Sequence, residues 1–61
     1  MPDDFNVFIQ VVLCLAKQAE VNAFAAHNRN ADSEAKAWDE ATKALFQAHY
    51  DLRRIIWEDR A

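Results

Sequence analysis

Glycine is absent from this sequence, and its single proline is Pro2. Tight turns between strands need positive φ, which glycine usually supplies. A fold of short strands and hairpin turns has no means of turning here. The one cysteine, Cys14, closes no disulfide within the chain. With His27 and His49 it still falls short of a closed four-ligand zinc site. Positive charge is also scarce: seven Lys and Arg stand against ten Asp and Glu, a net charge of −3. Nucleic-acid and anionic-membrane binding both begin with excess positive charge, so neither is a generic expectation. The lone thiol suits a reducing compartment and predicts a cytoplasmic protein.

No targeting segment is expected. The apolar run from Phe5 to Ala16 follows acidic Asp3 and Asp4, where a signal peptide needs positive charge. That run alone is too short to span a bilayer. A chain of 61 residues holds one domain, here residues 1–61. Such a domain buries only about 60% of the surface its unfolded chain exposes. Disulfides and a metal being absent, oligomerisation is the remaining route to stability.

What is present is helix former. Twelve alanines favour helix more than any other residue type does. The only polar break runs from His27 through Asn28, Arg29, Asn30, Ala31 and Asp32 to Ser33. Asparagine tolerates the left-handed conformation that ends helices, and Asn, Asp and Ser are preferred N-caps. The sequence therefore predicts helix 1 over about 4–28, a turn over about 28–33, and helix 2 over about 33–60. Asn30, Asp32 or Ser33 is the expected cap of helix 2, and His27 the expected C-terminal cap of helix 1. Acidic Asp32 and Glu34 complement the positive end of the second helix dipole. A short connection makes the helices antiparallel neighbours.

Three-four spacing predicts which faces meet. On helix 1 it links Phe5, Phe8, Val12, Leu15, Ala19, Asn22 and Ala26. On helix 2 it links Ala31, Glu34, Trp38, Ala41, Leu45, Ala48, Leu52 and Ile55. Repeats of this kind give coiled-coil-like packing. A second stripe on helix 1, Val7, Val11, Cys14, Gln18, Val21 and Ala25, lies roughly 100° around from the first. A helix apolar on two sides is buried on two sides, so this stripe is the expected oligomer interface. Cys14 belongs to it as a small buried apolar residue. The predicted architecture is all-α, a two-helix hairpin that self-associates as a dimeric four-helix bundle.

Catalytic chemistry finds no support. A cysteine nucleophile needs a nearby base, and His27 lies about 20 Å further along the same helix. No pair of Glu-x-x-His units exists to hold a di-iron centre. No catalytic residue, metal or cofactor is expected, and the protein is read as a non-enzyme that acts by binding. Phe46, His49, Tyr50, Arg53, Arg54, Trp57 and Arg60 form the candidate binding face, since aromatics interleaved with arginines resemble interface hot spots. His49 is expected to be partly exposed there. The first expectation is a small regulator or inhibitor that binds itself and another protein, of the kind phages and plasmids encode. The alternative is an oligomeric binder of RNA or small phosphate-bearing nucleotides, because Arg pairs with phosphate and stacks on Trp or Tyr.

Overall fold

Asn30 makes the turn. The structure, a computed structural model, describes residues 3–60 and the side chains of residues 4–59. In it Asn30 has φ of 60°, the left-handed region. The Ala31 N–H donates to the Ala26 carbonyl at 3.0 Å, and the Asn30 N–H to the His27 carbonyl at 3.1 Å. This paired closure ends a helix at a left-handed residue. It terminates α1 (Asp3–Asn28), and α2 (Asp32–Arg60) begins almost at once. The described residues hold these two helices and no strand.

Two expected caps are corrected. The carbonyls of Ala25, Ala26 and His27 are taken by backbone N–H groups of Arg29, Asn30 and Ala31. His27 is thus not needed at the helix end, and its Nε2 lies instead 2.9 Å from Asp39 Oδ2 across the hairpin. The first bond of α2 runs from the Ala35 N–H to the Ala31 carbonyl at 2.8 Å. Ala31, not Asn30, Asp32 or Ser33, therefore occupies the cap position. The turn is too tight to leave another residue there. Arg29 Nη2 reaches Glu34 Oε2 at 2.8 Å and ties the turn to the first turn of α2.

Only the backbone conformation of Asn30 restricts what can stand there. Asn30→Gly should leave stability within a few tenths of a kcal/mol, because glycine reaches positive φ freely. Asn30→Val should cost about 1–2 kcal/mol, the penalty of a left-handed β-branched residue. Urea unfolding at one fixed protein concentration measures both.

The helices meet along a seam that is rotated from the expected one. On α1 the buried residues are Ile9, Val12, Ala16, Ala19, Ala23 and Ala26, with Phe5 half-buried. On α2 they are Ala35 and His49, with Trp38, Ala41, Thr42, Leu45, Ala48, Leu52 and Ile56 half-buried. The three-four spacing is kept, but alternate positions advance by one residue. Ile9 replaces Phe8, Ala16 replaces Leu15, and Ala23 replaces Asn22. Ala35 and Ile56 likewise replace Glu34 and Ile55, while Ala41 and Ala48 stay half-buried beside Thr42 and His49. Phe8 and Leu15, expected in the core, are 53% and 52% exposed, and Ile55 is 46% exposed. Each helix has turned by roughly 50°, half of one residue's step.

Side-chain size explains the rotation. The separation of two packed helices, about 8–10 Å, is set by the side chains between them. Ala16, Ala19, Ala23 and Ala26 give α1 a flat strip that Trp38 and Leu45 can approach. Phe8 and Leu15 on that strip would hold the helices apart. The result is a thin core in which no large side chain among the described residues is fully buried.

Candidate partner-binding surfaces

The two sides of the seam differ in chemistry. Two grooves open on one side. The larger, about 360 Å³, lies toward the open end of the hairpin. Ile9, Leu13 and Ile56 form its apolar floor, Asn6 and Gln10 enter from α1, and His49, Arg53 and Trp57 enter from α2. Asn6 and Gln10 are one turn apart on one face, so both amides point into the same space. Trp57 is 75% exposed at the rim. Arg53 is the only charged residue that lines this groove among the described residues. The second groove, about 310 Å³, lies toward the turn between Glu20, Phe24 and the His27–Asp39 pair. That pair is more than half exposed on both partners, where ion pairs contribute about 1 kcal/mol at most.

Of the candidate binding face, the open-end groove gathers His49, Arg53 and Trp57. Phe46 is half-buried and Tyr50 exposed. The His49 and Tyr50 rings stand 5.6 Å apart and tilted. Arg54 is drawn away to Asp51, with Nη2 and Oδ1 3.4 Å apart. The Arg60 side chain lies outside the described residues. His49 is a correction: it is 4% exposed, not partly exposed, and its Nδ1 is buried without a hydrogen-bond partner. A buried polar atom left unpaired costs about 1–3 kcal/mol. Nothing in the one-dimensional pattern of helix 2 draws Asn6 and Gln10 into this site. They reach it because the hairpin brings the start of α1 beside the end of α2.

The other side of the seam is apolar along most of α1, while the heptad positions of Ile55 and Ala44 set Glu34 and Asp51 on it. Gln10, Lys17 and Phe24 share one heptad position, and Gln10 and Phe24 line the grooves. Lys17 therefore belongs to the grooved side, as does Glu20, which lines the second groove. These are the only charged residues between Asp4 and His27. The helical period places Phe8, Val11, Leu15 and Asn22 across the seam from them, beside Ala41, Ala44, Ala48, Leu52 and Ile55 of α2. Val11, Gln18 and Ala25 of the expected interface stripe border this side, while Val7, Cys14 and Val21 share a heptad position that faces away from α2. Val7, Val11, Cys14, Gln18 and Val21 are exposed in the hairpin, and Ala25 is half-buried. Cys14 is thus not buried by the hairpin itself. The Gln18 amide donates to Asn22 Oδ1 at 3.1 Å on this otherwise apolar face of α1.

The charge contrast between helices is large. The segment Asp4–Asn28 is long and apolar enough, by length and composition, to cross a membrane. The continuous helix thus passes a test that residues 5–16 alone fail. By contrast α2 carries twelve charged residues. Among the described residues no group of His, Cys, Asp and Glu is arranged to hold a metal ion. Comparison of the chain with protein families, curated proteins and solved structures finds no match.

Proposed function

We propose that the protein is a self-associating helical interaction module that acts by binding, not by catalysis. The apolar side of the hairpin associates with a second copy in a four-helix bundle, and the grooved side faces a protein partner. One observation carries the first half: Phe8, Val11, Leu15 and Ile55 are about half exposed, and the helical period sets them on one side of the seam. Soluble monomers rarely expose contiguous apolar patches of more than a few hundred Å². For the second half, Cys14 points away from α2, while His27 and His49 line the grooves on the other side. Thr42 shares the turn-end groove with His27 and Asp39, but its hydroxyl donates to the Trp38 carbonyl at 2.8 Å.

A bilayer is the rival cover for α1. Lys17, Gln18, Glu20 and Asn22 fall at the middle of that helix, and one charge at a bilayer centre costs about 2.5–3.5 kcal/mol. A second helix suits such a middle better. Sedimentation equilibrium should show a dimer, with a melting temperature that rises with protein concentration by mass action. A monodisperse monomer with a concentration-independent melt overturns the proposal. So does stable co-sedimentation with phosphatidylcholine vesicles, which would give the face to lipid.

A second reading rests on Arg53, the lone charge of the open-end groove. In a chain with ten carboxylates, an acid-free groove with one guanidinium, two amides and a Trp suits an anionic ligand such as a nucleotide. Titration with AMP, followed by fluorescence, should then quench Trp57 and weaken with added salt. Arg53→Glu should abolish the signal, and Arg54→Glu, outside the groove, should leave it unchanged. Equal effects of the two reversals would show only general electrostatics. A protein partner held by apolar contacts would be lost in Trp57→Ala and vary little with salt.

A further inference from the structure

We infer that the grooved side binds single-stranded nucleic acid, laid along the seam from the open end toward the turn. This rests on the second reading above, an anionic ligand at Arg53, and extends it from one nucleotide to a strand. Cations mark that side. Lys36 and Lys43 share a heptad position with Tyr50 and Trp57. Trp57 lines the open-end groove, so the whole column lies on the grooved side. With Lys17 and Arg53, this side holds four of the six Lys and Arg whose side chains are described. None of the four makes an ion pair among the described residues. The other two, Arg29 and Arg54, are held by Glu34 and Asp51.

The described acids of the grooved side gather toward the turn. Asp32, which shares the heptad position of Asp39, opens α2. Glu20 and Asp39 line the turn-end groove, where Asp39 is bonded to His27. A chain with a net charge of −3 thus presents a cationic track from Arg53 past Lys17 to Lys43. Such a track attracts a polyanion.

Aromatic side chains narrow the choice of polyanion. Trp57 and Tyr50 are 75% and 62% exposed. They stand about 10 Å apart along α2, with Arg53 between them in sequence. Stacking of bases on aromatic rings beside a basic track is how single strands are held. An acidic peptide matches the charge but brings no bases to stack on the rings. A duplex matches the charge but keeps its base faces inside. Asn6 and Gln10 at the open end add amide donors and acceptors of the kind that pair with base edges. From Trp57 to Lys43 the track runs about 21 Å. That takes roughly four to six nucleotides, the low end of single-strand sites.

Fluorescence anisotropy with a fluorescein-labelled oligothymidylate of about twelve nucleotides tests this on the full chain. The oligonucleotide should bind at least ten-fold tighter than AMP. Its log K should fall against log salt with a slope of about −2, as three cations on a single strand require. Arg53→Glu, Lys17→Glu and Lys43→Glu should each weaken binding about ten-fold and flatten that slope. Tyr50→Ala and Trp57→Ala should each weaken it about ten-fold and leave the slope unchanged. Arg54→Glu makes the same charge change off the track and should leave affinity unchanged. All these residues are exposed, so helix content by circular dichroism should match wild type and separate lost binding from lost folding. Tryptophan quenching by AMP without tighter binding of the oligonucleotide overturns the strand and leaves the nucleotide reading standing. Binding of neither overturns both. Oligoglutamate of equal length binding as tightly would give the track to an acidic protein segment, and a duplex of equal length binding as tightly would overturn the single strand.

Discussion

Ala16→Leu combined with Ala26→Leu should abolish the cooperative folding of this protein. Both alanines are completely buried in the seam between α1 and α2. A leucine at either site has no space unless the helices separate. Overpacking a filled core costs about 1–3 kcal/mol per site, and occasionally more. The two sites are ten residues apart, about 15 Å along the helix, so their effects should add. The whole stability expected of a 61-residue chain is about 3–9 kcal/mol. The double variant's cost of about 2–6 kcal/mol removes most of that stability. Leucine is nearly as good a helix former as alanine, so propensity does not explain a loss. Circular dichroism should show a broad or absent thermal transition, which higher protein concentration does not restore. A double variant that melts as wild type does would mean that the helices meet along another line.

Leu15→Ala, one residue before Ala16, should act on the dimer instead. Leu15 is half exposed in the hairpin, and its removal empties no seam position. In the proposed dimer it is buried by the second copy. Fully burying a leucine contributes about 1.5–3 kcal/mol; the dimer buries only the half of Leu15 that the hairpin leaves exposed, and a two-fold interface counts each substitution twice. The expected loss is about 1.5–3 kcal/mol of association, a Kd raised roughly 10- to 10²-fold. Sedimentation equilibrium reads this directly. The melting temperature should fall at micromolar concentration and recover toward millimolar, as mass action requires. That recovery separates a weakened dimer from a broken hairpin. If Leu15→Ala associates as tightly as wild type, the face bearing Phe8, Val11 and Leu15 is not the interface.

These neighbouring residues mark where sequence reading stops. Two helices, their approximate ends and an asparagine-rich turn between them follow from the absence of glycine, the alanine content and one polar break, though not that Asn30 is the left-handed residue rather than a cap. Each depends on local chemistry, and local chemistry is written in order along the chain. The rotational phase of the helices is different. On α1 apolar residues occupy more than half of the circumference, so three-four spacing fits the stripe through Phe8 and Leu15 as well as the one through Ile9 and Ala16. Hydrophobicity favours the larger side chains. Close approach favours the smaller ones, and that preference exists only once a second helix is present. Ala16, Ala19, Ala23 and Ala26 at three-four spacing were the legible sign of it.

The same limit governs the candidate site. Arg53 and Trp57 stand out on helix 2 by composition and spacing. Asn6 and Gln10 are ordinary amides until the hairpin folds, more than forty positions away from them in the chain. His49, expected at a surface, is buried because the seam turned by half of one residue's step and carried it inward. Sequence alone determined that this chain makes two amphipathic helices with more apolar surface than one hairpin can cover. Tertiary structure decided which part of that surface is left over, because the closest contact between two helices goes to the side chains that take up least room.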